Sequence, residues 1–447
     1  MSEVSVVEVH LWGRYVGAIV PLRGKPGFYE FQYAPSFVAS GLDLSPLKMP
    51  LDTRKRYSFP GLPQETYHGL PGLLADALPD KFGNALINEY LERQGTKAED
   101  ITTLQRLLYV GKRAMGALEF EPAMKDTHSP EVAAPLQMAH LVEDARRALR
   151  GEVMQVTQDL IEIGSSAGGA RAKAVIGWNP ATGEIVSGQF DLPDDFEHWL
   201  LKFDVGTDSN LSYSAGFGRI EYAHYLMAKE AGVDISPCRL LEENGRAHFM
   251  TRRFDRQGNQ KRHVHSLCGL AHLDFNKPYA HGYEQYLRAV LEMKLGAKAV
   301  EQAWLRCAFN VAVVNCDDHT KNLAFLLNEA GTWTLAPAYD LGFSHNPAPG
   351  KWTRQHQMLV NGKAWNITDH DLIELADKFG VRQPKALLDR IIEVVAQWPE
   401  FASKAGVPSG EIGRIAAHHP EWVTHAAGNL CPTCRSAPCV CRPAPGG

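Results

Sequence analysis

The chain has 447 residues, 45% of them hydrophobic and 22% charged, with a formal net charge of -5. That length accommodates two or three separately packed domains of ordinary globular composition, and the charge balance argues against wholesale nucleic-acid binding. No run of about 18 apolar residues occurs and Met1-Ser2-Glu3-Val4 lacks the basic start of a secretion signal, so no membrane span and a cytoplasmic location are expected.

In chain order, Val7, Val9 and Leu11, then Tyr15, Ala18 and Val20, alternate around Gly13-Arg14 and predict a small antiparallel hairpin or meander. Residues 28–33 add a strand. From Leu70 the period becomes helical: Leu73, Leu74, Leu78, Phe82, Leu86, Ile87 and Leu91 form one apolar stripe that Gly95 stops. A helix over 101–110 and a strand near 117–120 complete an α+β unit, closed by a proline-rich linker from Pro122 to Pro135. A helix near 139–150 opens the next unit. Ile161-Glu162-Ile163 reads as a strand, followed by a glycine-rich turn, a strand over 172–178 and another over 198–203. Residues 221–231 read as a helix. From Arg253 to about Ala417 the pattern is mainly helical, with strands at 323–327 and 332–335. These patterns divide the chain into 1–122, 136–252, 253–428 and a tail over 429–447. The fold class expected is α+β: two-lobed and protein-kinase-like, with an extra N-terminal α+β subdomain and a mostly helical C-terminal lobe.

Asp317-Asp318-His319-Thr320-Lys321-Asn322 and Tyr339-Asp340-Leu341-Gly342 carry the chemistry. An Asp followed five positions later by an Asn, then a separate Asp-x-Gly, is the spacing of a kinase catalytic loop and its metal-binding segment. Asp317 is the candidate base for a substrate hydroxyl. Asn322 and Asp340 offer oxygen ligands suited to Mg²⁺, and Lys321 would neutralise the transferred phosphate. Asp317, Asp318 and His319 also offer a second reading, a hydrolase metal cluster. Upstream, the small residues of 164–173 suit a phosphate-binding nest ahead of Lys202, whose ammonium in an apolar strand calls for a carboxylate partner, Glu221 or alternatively Glu230.

Taken together, these segments resemble the HipA family, the toxin kinases of bacterial HipBA-type toxin–antitoxin modules. The resemblance also rests on residues 70–80, 115–120, 166–173, 253–256 and 336–340. It implies a Ser/Thr protein kinase using ATP and Mg²⁺, with Asp317 and Lys321 catalytic and Asn322 and Asp340 on metal. Gly168, Gly169, Ala170, Arg171, Ala172, Lys173, Lys202, His319, Thr320 and Tyr339 would contact nucleotide. Arg252, Arg253 and Phe254 would form the adenine hinge, with Arg252 where a glutamate is expected and Arg171 where glutamine is frequent. Ser166, or its neighbour Ser165, would be the site of inactivating autophosphorylation. The implied partners are an aminoacyl-tRNA synthetase substrate, glutamyl-tRNA synthetase above all, and a HipB-like helix-turn-helix antitoxin through which DNA is met indirectly. Growth arrest and persistence would follow. The alternative is a non-catalytic antitoxin-binding scaffold or corepressor.

Cys238, Cys268, Cys307 and Cys316 read as reduced structural thiols. Cys431, Cys434, Cys439 and Cys441 could hold one Zn²⁺, the other reading being a reduced tail.

Overall fold

Alternation of Val7, Val9 and Leu11 buries all three on one face of β1 (Val7–Leu11). β2 (Arg14–Pro21), β3 (Tyr29–Tyr33), β4 (Arg56–Tyr57) and β5 (Leu118–Glu121) complete an antiparallel sheet of order β4-β3-β2-β1-β5. Tyr15, expected on the apolar face, is instead exposed, while Val16 and Ile19 are buried. The register shift between Val9 and His10 is the cause, because it leaves Val16 as an extra residue and exchanges the faces beyond it.

The structure is a computed structural model describing residues 4–79, 81–122, 136–150, 152, 156–164, 172–205 and 216–424. Two compact units emerge. The first comprises Met1–Gly218, Ser236–Asn276 and Leu323–Ala336; the second comprises Arg219–Ile235, Lys277–Asn322 and Pro337–Gly447.

In the first unit a second sheet runs β7-β6-β8-β10-β9. Its strands are β6 (Lys173–Trp178), β7 (Ile185–Ser187), β8 (Glu197–Lys202), β9 (Cys238–Glu243) and β10 (Arg246–Arg252). The β9–β10 hairpin turns at Asn244 (φ 46°) and Gly245 (φ 77°), the pair of positive dihedrals that a tight hairpin turn of the right hand requires. A three-stranded sheet joins His263–Ser266 to Ala324–Leu327 and Trp333–Leu335.

Two helical expectations need correction. The apolar stripe from Leu73 to Leu91 is buried as expected, but it belongs to two helices, Gly72–Ala75 and Lys81–Arg93. Pro79 lies in the break; it lacks an N–H and pushes Leu78 away from helical dihedrals. Residues Ile161–Ile163 are not a strand but the end of a helix, Gln158–Ile163. Three residues are too few for periodicity to separate the two.

The short helix Gly72–Ala75 approaches the helix Leu267–Ala271 so closely that a Cβ on Gly72 would lie 2.2 Å from the Gly269 carbonyl oxygen. Only glycine permits that approach, and it lets Asp76 accept from Ser266 N (2.7 Å), Ser266 Oγ (2.7 Å) and His265 Nδ1 (2.6 Å). Ser45 Oγ sits 3.1 Å from His265 Nε2. Ser45, His265 and Asp76 thus line up like a hydrolase triad, but Ser45 is fully buried and the row works as a bolt between segments.

Gly116 (φ 81°) forms the second bolt. Its N–H donates to Asp255 Oδ2 (2.8 Å) and its carbonyl accepts from Arg256 Nη1 (3.0 Å). Asp255 also accepts from Arg253 Nε and Nη2 at 2.9 and 2.7 Å. Burial alone would raise its pKa, yet the guanidinium groups of Arg253 and Arg256, with the Gly116 N–H, hold this carboxyl well below the usual carboxylate range.

The second unit is built on helices Tyr283–Glu292, Ala297–Ala312, Asp369–Lys378, Pro384–Ala396, Trp398–Lys404 and Ser409–Ala416. Thr368 caps one of them, its side chain accepting from Asp371 N at 3.2 Å. Trp304 and Trp398 are fully buried, with indole N–H groups on the carbonyls of Leu372 (2.8 Å) and Ile412 (2.9 Å). Truncating either to alanine costs roughly 3–5 kcal/mol by the usual core measure. Cys238, Cys268, Cys307 and Cys316 are free thiols. Among the described residues no helix is long and apolar enough to cross a membrane.

Candidate active site

The buried helix Ala297–Ala312 runs straight into the loop that carries the candidate chemistry, and its last turn supplies Asn310. Beyond it Val314 has φ 55°, a left-handed conformation costly for a β-branched side chain, and Asp340 has φ 53°. Hydrogen bonds hold both in place. Cys316 N donates to Ser344 O (2.9 Å) and Ser344 N returns to Val314 O (3.2 Å).

One amide ties the two acidic segments together. Asn315 Oδ1 accepts from Asp317 N (3.3 Å), while Asn315 Nδ2 donates to Asn310 Oδ1 (2.9 Å) and to the carbonyl of Asp340 (3.0 Å). Tyr339 adds a second tie, its hydroxyl donating to Lys321 O at 2.8 Å. Asp317, Lys321, Asn322, Tyr339 and Asp340, chosen from sequence, are therefore joined through one hydrogen-bonded loop system. Asn322 Nδ2 donates to the Asp317 carbonyl (2.9 Å), which leaves Oδ1 as the amide atom available to a cation. Oxygen is also what the Asp340 carboxylate offers, the donor type that a hard divalent ion prefers.

Asp317 keeps 45% of its side chain exposed, with His319 Nε2 3.9 Å from its Oδ1. Its neighbour Asp318 points the other way. Asp318 is buried and accepts from Tyr283 OH (2.9 Å), His356 Nδ1 (3.0 Å) and Gln357 N (2.7 Å). Burial and the adjacent Asp318 push the Tyr283 hydroxyl far up, so it remains a donor. The hydrolase arrangement of Asp317, Asp318 and His319 does not form: among the described residues the one group of three able to share an ion is Glu8, His10 and Glu121. Thr320 is buried beneath the loop.

In the first unit, Lys173 and Lys202 are direct cross-strand partners on β6 and β8. Lys202 Nζ also lies 5.6 Å from the Phe249 ring centroid. Glu221 is buried in the helix Phe217–Glu230, and itself belongs to the second unit. Ala172 is buried just before β6, whereas Ser165, Ser166, Gly168, Gly169, Ala170 and Arg171 lie outside the described residues. So do Cys431, Cys434, Cys439 and Cys441.

At the expected hinge, Arg253 spends its guanidinium on Asp255 and its N–H on His198 O (3.0 Å), so its side chain serves architecture. Arg252 is 52% exposed and lies 3.3 Å from Glu197. Phe254 follows in the same turn. Sequence reasoning assigned no role to Asn315 and did not find the buried acceptor role of Asp318. Asn315 opens the catalytic segment, but nothing in one sequence distinguishes a clamp from a loop polar residue.

An α+β kinase-like fold with an added N-terminal subdomain, and a loop system that gathers Asp317, Asn322 and Asp340, place the chain among kinase-like proteins. Residues 7–121 match the HipA N-terminal domain and residues 165–400 the HipA-like C-terminal domain. The chain belongs to the HipA family. Among solved structures, HipA of Shewanella oneidensis MR-1, determined with HipB and its operator DNA, is similar over 94% of this chain and 96% of that one, with TM-score 0.63 and 18% identity, a likeness of fold. The Helicobacter pylori proinflammatory kinase CtkA aligns over 58% of this chain and 92% of that one with TM-score 0.35 and 13% identity, too remote to carry weight. No curated protein matches the sequence.

Proposed function

We propose that this chain is an ATP-dependent serine/threonine protein kinase and the toxin of a HipBA-type toxin–antitoxin pair. The observation that carries the reading is the tie made by Asn315, which binds the Asp317 backbone and the Asp340 backbone into one site with Asn322 alongside. Family membership across most of the chain supports it. Mg²⁺ held by Asn322 and Asp340 would neutralise charge on the nucleotide phosphates. The chain's own groups do the rest. Asp317 takes the proton of the acceptor hydroxyl, Lys321 balances developing negative charge, and Lys173 and Lys202 answer phosphate with the backbone of 168–172. The Arg252–Phe254 turn receives adenine, and His319, Thr320 and Tyr339 shape the nucleotide side of the loop.

The proposed acceptor is an aminoacyl-tRNA synthetase, glutamyl-tRNA synthetase first, whose modification would stop translation and arrest growth in the cytoplasm. Autophosphorylation of Ser166, or Ser165, would place nearly two negative charges in the phosphate nest and shut the site. The Shewanella HipA determined with HipB and operator DNA makes a HipB-like antitoxin the proposed partner, with DNA reached through it. The test is incubation with labelled ATP, Mg²⁺ and glutamyl-tRNA synthetase, followed by phosphosite mapping. Transfer that disappears in Asp317→Asn is the expected result; undiminished transfer in that variant refutes the assigned base.

A further inference from the structure

Asp317 Oδ1 accepts a hydrogen bond from the indole Nε1 of Trp352, at 2.8 Å, from thirty-five positions further along the chain. Trp352 sits in a short turn, Trp352–Arg354, and is 37% exposed, so its ring edge meets both the carboxylate and solvent. The turn is not loosely placed. Gln357 Nε2 donates to the Trp352 carbonyl, and Gln357 N donates to Asp318 Oδ1 at 2.7 Å. His356, next to Gln357, donates to Asp318 Oδ2 at 3.0 Å. Asn346 N binds Thr353 O at 3.1 Å and fixes the turn from its other side. The result is a closed circuit. It leaves the loop at Asp317, passes through Trp352 and Gln357, and returns to Asp318, the next residue.

We propose that Trp352 is a positioning residue for phosphoryl transfer, its indole N–H fixing one carboxylate oxygen of Asp317 so that the other receives the acceptor proton. This rests on the kinase reading given above. Oδ2 takes no hydrogen bond from the described residues, while Oδ1 is occupied by Trp352. In the step served, the acceptor O–H bond breaks and its proton goes to Oδ2. The oxygen's electron pair forms the new P–O bond as the bond to the ADP oxygen opens. A carboxylate free to rotate would spend most of its time in unproductive orientations, which is the cost a fixed donor removes. Burying Asp318 on three donors is what makes the anchor rigid, and this explains why two consecutive aspartates point in opposite directions.

The test uses the full chain, labelled ATP with Mg²⁺, glutamyl-tRNA synthetase as acceptor and, beside it, transfer to the chain's own serines. Trp352→Phe keeps an aromatic ring and removes the N–H. The expected result is a kcat about tenfold lower, with KM for ATP and for the acceptor unchanged within about twofold. An unchanged kcat overturns the proposal. So does a kcat that falls only in step with a lower unfolding midpoint. A second variant with benzothienylalanine at position 352 keeps the bicyclic shape and lacks only the N–H. Full kcat in that variant overturns the proposal, and the same tenfold loss supports it. Failure of the kinase reading looks different: the unaltered chain then transfers no phosphate to either acceptor, or Asp317→Asn transfers as well as it.

Discussion

Asp255 in the first unit and Asp317 in the second are both carboxylates in short connecting segments, and their surroundings are opposite. Asp255 is fully buried against two guanidinium groups and a backbone N–H. Asp317 is half exposed, holds a single indole donor, and sits three residues after a left-handed valine. A buried charge with every lone pair satisfied cannot accept a proton at working pH, so it serves architecture. A half-exposed carboxylate with one oxygen restrained is suited to proton transfer, and its loop bears strained dihedrals that the packed helix before it holds in place.

Exchanging the two charges for amides tests this contrast most severely. Asp317→Asn should lower phosphoryl transfer by about 10³-fold or more while changing unfolding free energy by less than about 0.5 kcal/mol. Asp255→Asn should do the reverse at the level of stability, costing about 3–5 kcal/mol because Arg253 and Arg256 remain buried without their counter-charge. Urea titration and initial-rate assays on both variants check the pair. Equal stability losses would erase the distinction.

Acid sharpens it. The Asp255 carboxyl is depressed below its unfolded value, so its contribution is complete above about pH 4 and is lost as the pH falls further. Asp255→Asn and the unaltered chain should therefore converge in stability below that point. Burial also lowers His198 to about 4 and His263 to about 3. Unfolding lets each bind a proton below about pH 6.5, so stability should fall by about 1.4 kcal/mol per pH unit for each as pH drops from there toward 4. Unfolding midpoints at half-unit pH steps read this slope, and His263→Phe should flatten it.

Asp318→Asn sits between the extremes. It weakens the bonds from Tyr283, His356 and Gln357, and a loss of about 1–3 kcal/mol with a several-fold lower kcat is expected from denaturation and rate measurements. The smallest effect belongs to Arg252→Ala. Its exposed contact with Glu197 is worth about 0.5 kcal/mol or less, and on the proposed function KM for ATP should stay within about twofold, because a hinge would meet nucleotide through backbone groups.

Much of this was legible before any coordinates. Val7, Val9 and Leu11 announced a half-buried strand, and the stripe from Leu73 to Leu91 named core residues correctly across a break that Pro79 made. The β9–β10 hairpin went unread although Asn244-Gly245 is a strong short-range hairpin signal. The strand His263–Ser266 carries His and Ser at buried positions, so hydrophobic periodicity is silent there. His265 and Ser266 find their hydrogen-bond partners in Asp76 and Ser45, which arrive from far away in the chain.

What the sequence determined by itself is the list of candidate groups and their order: Asp317, Asn322 and Asp340 are picked out by residue type and spacing, since phosphoryl transfer draws on few functional groups. Tertiary structure alone decided their allegiance. Asp317 and Asp318 are the same residue type side by side, and only the donors brought by Trp352, Tyr283, His356 and Gln357 make one a candidate base and the other an anchor. Hydrogen-bond partners distant in the chain set a side chain's exposure and direction, and no local pattern encodes them.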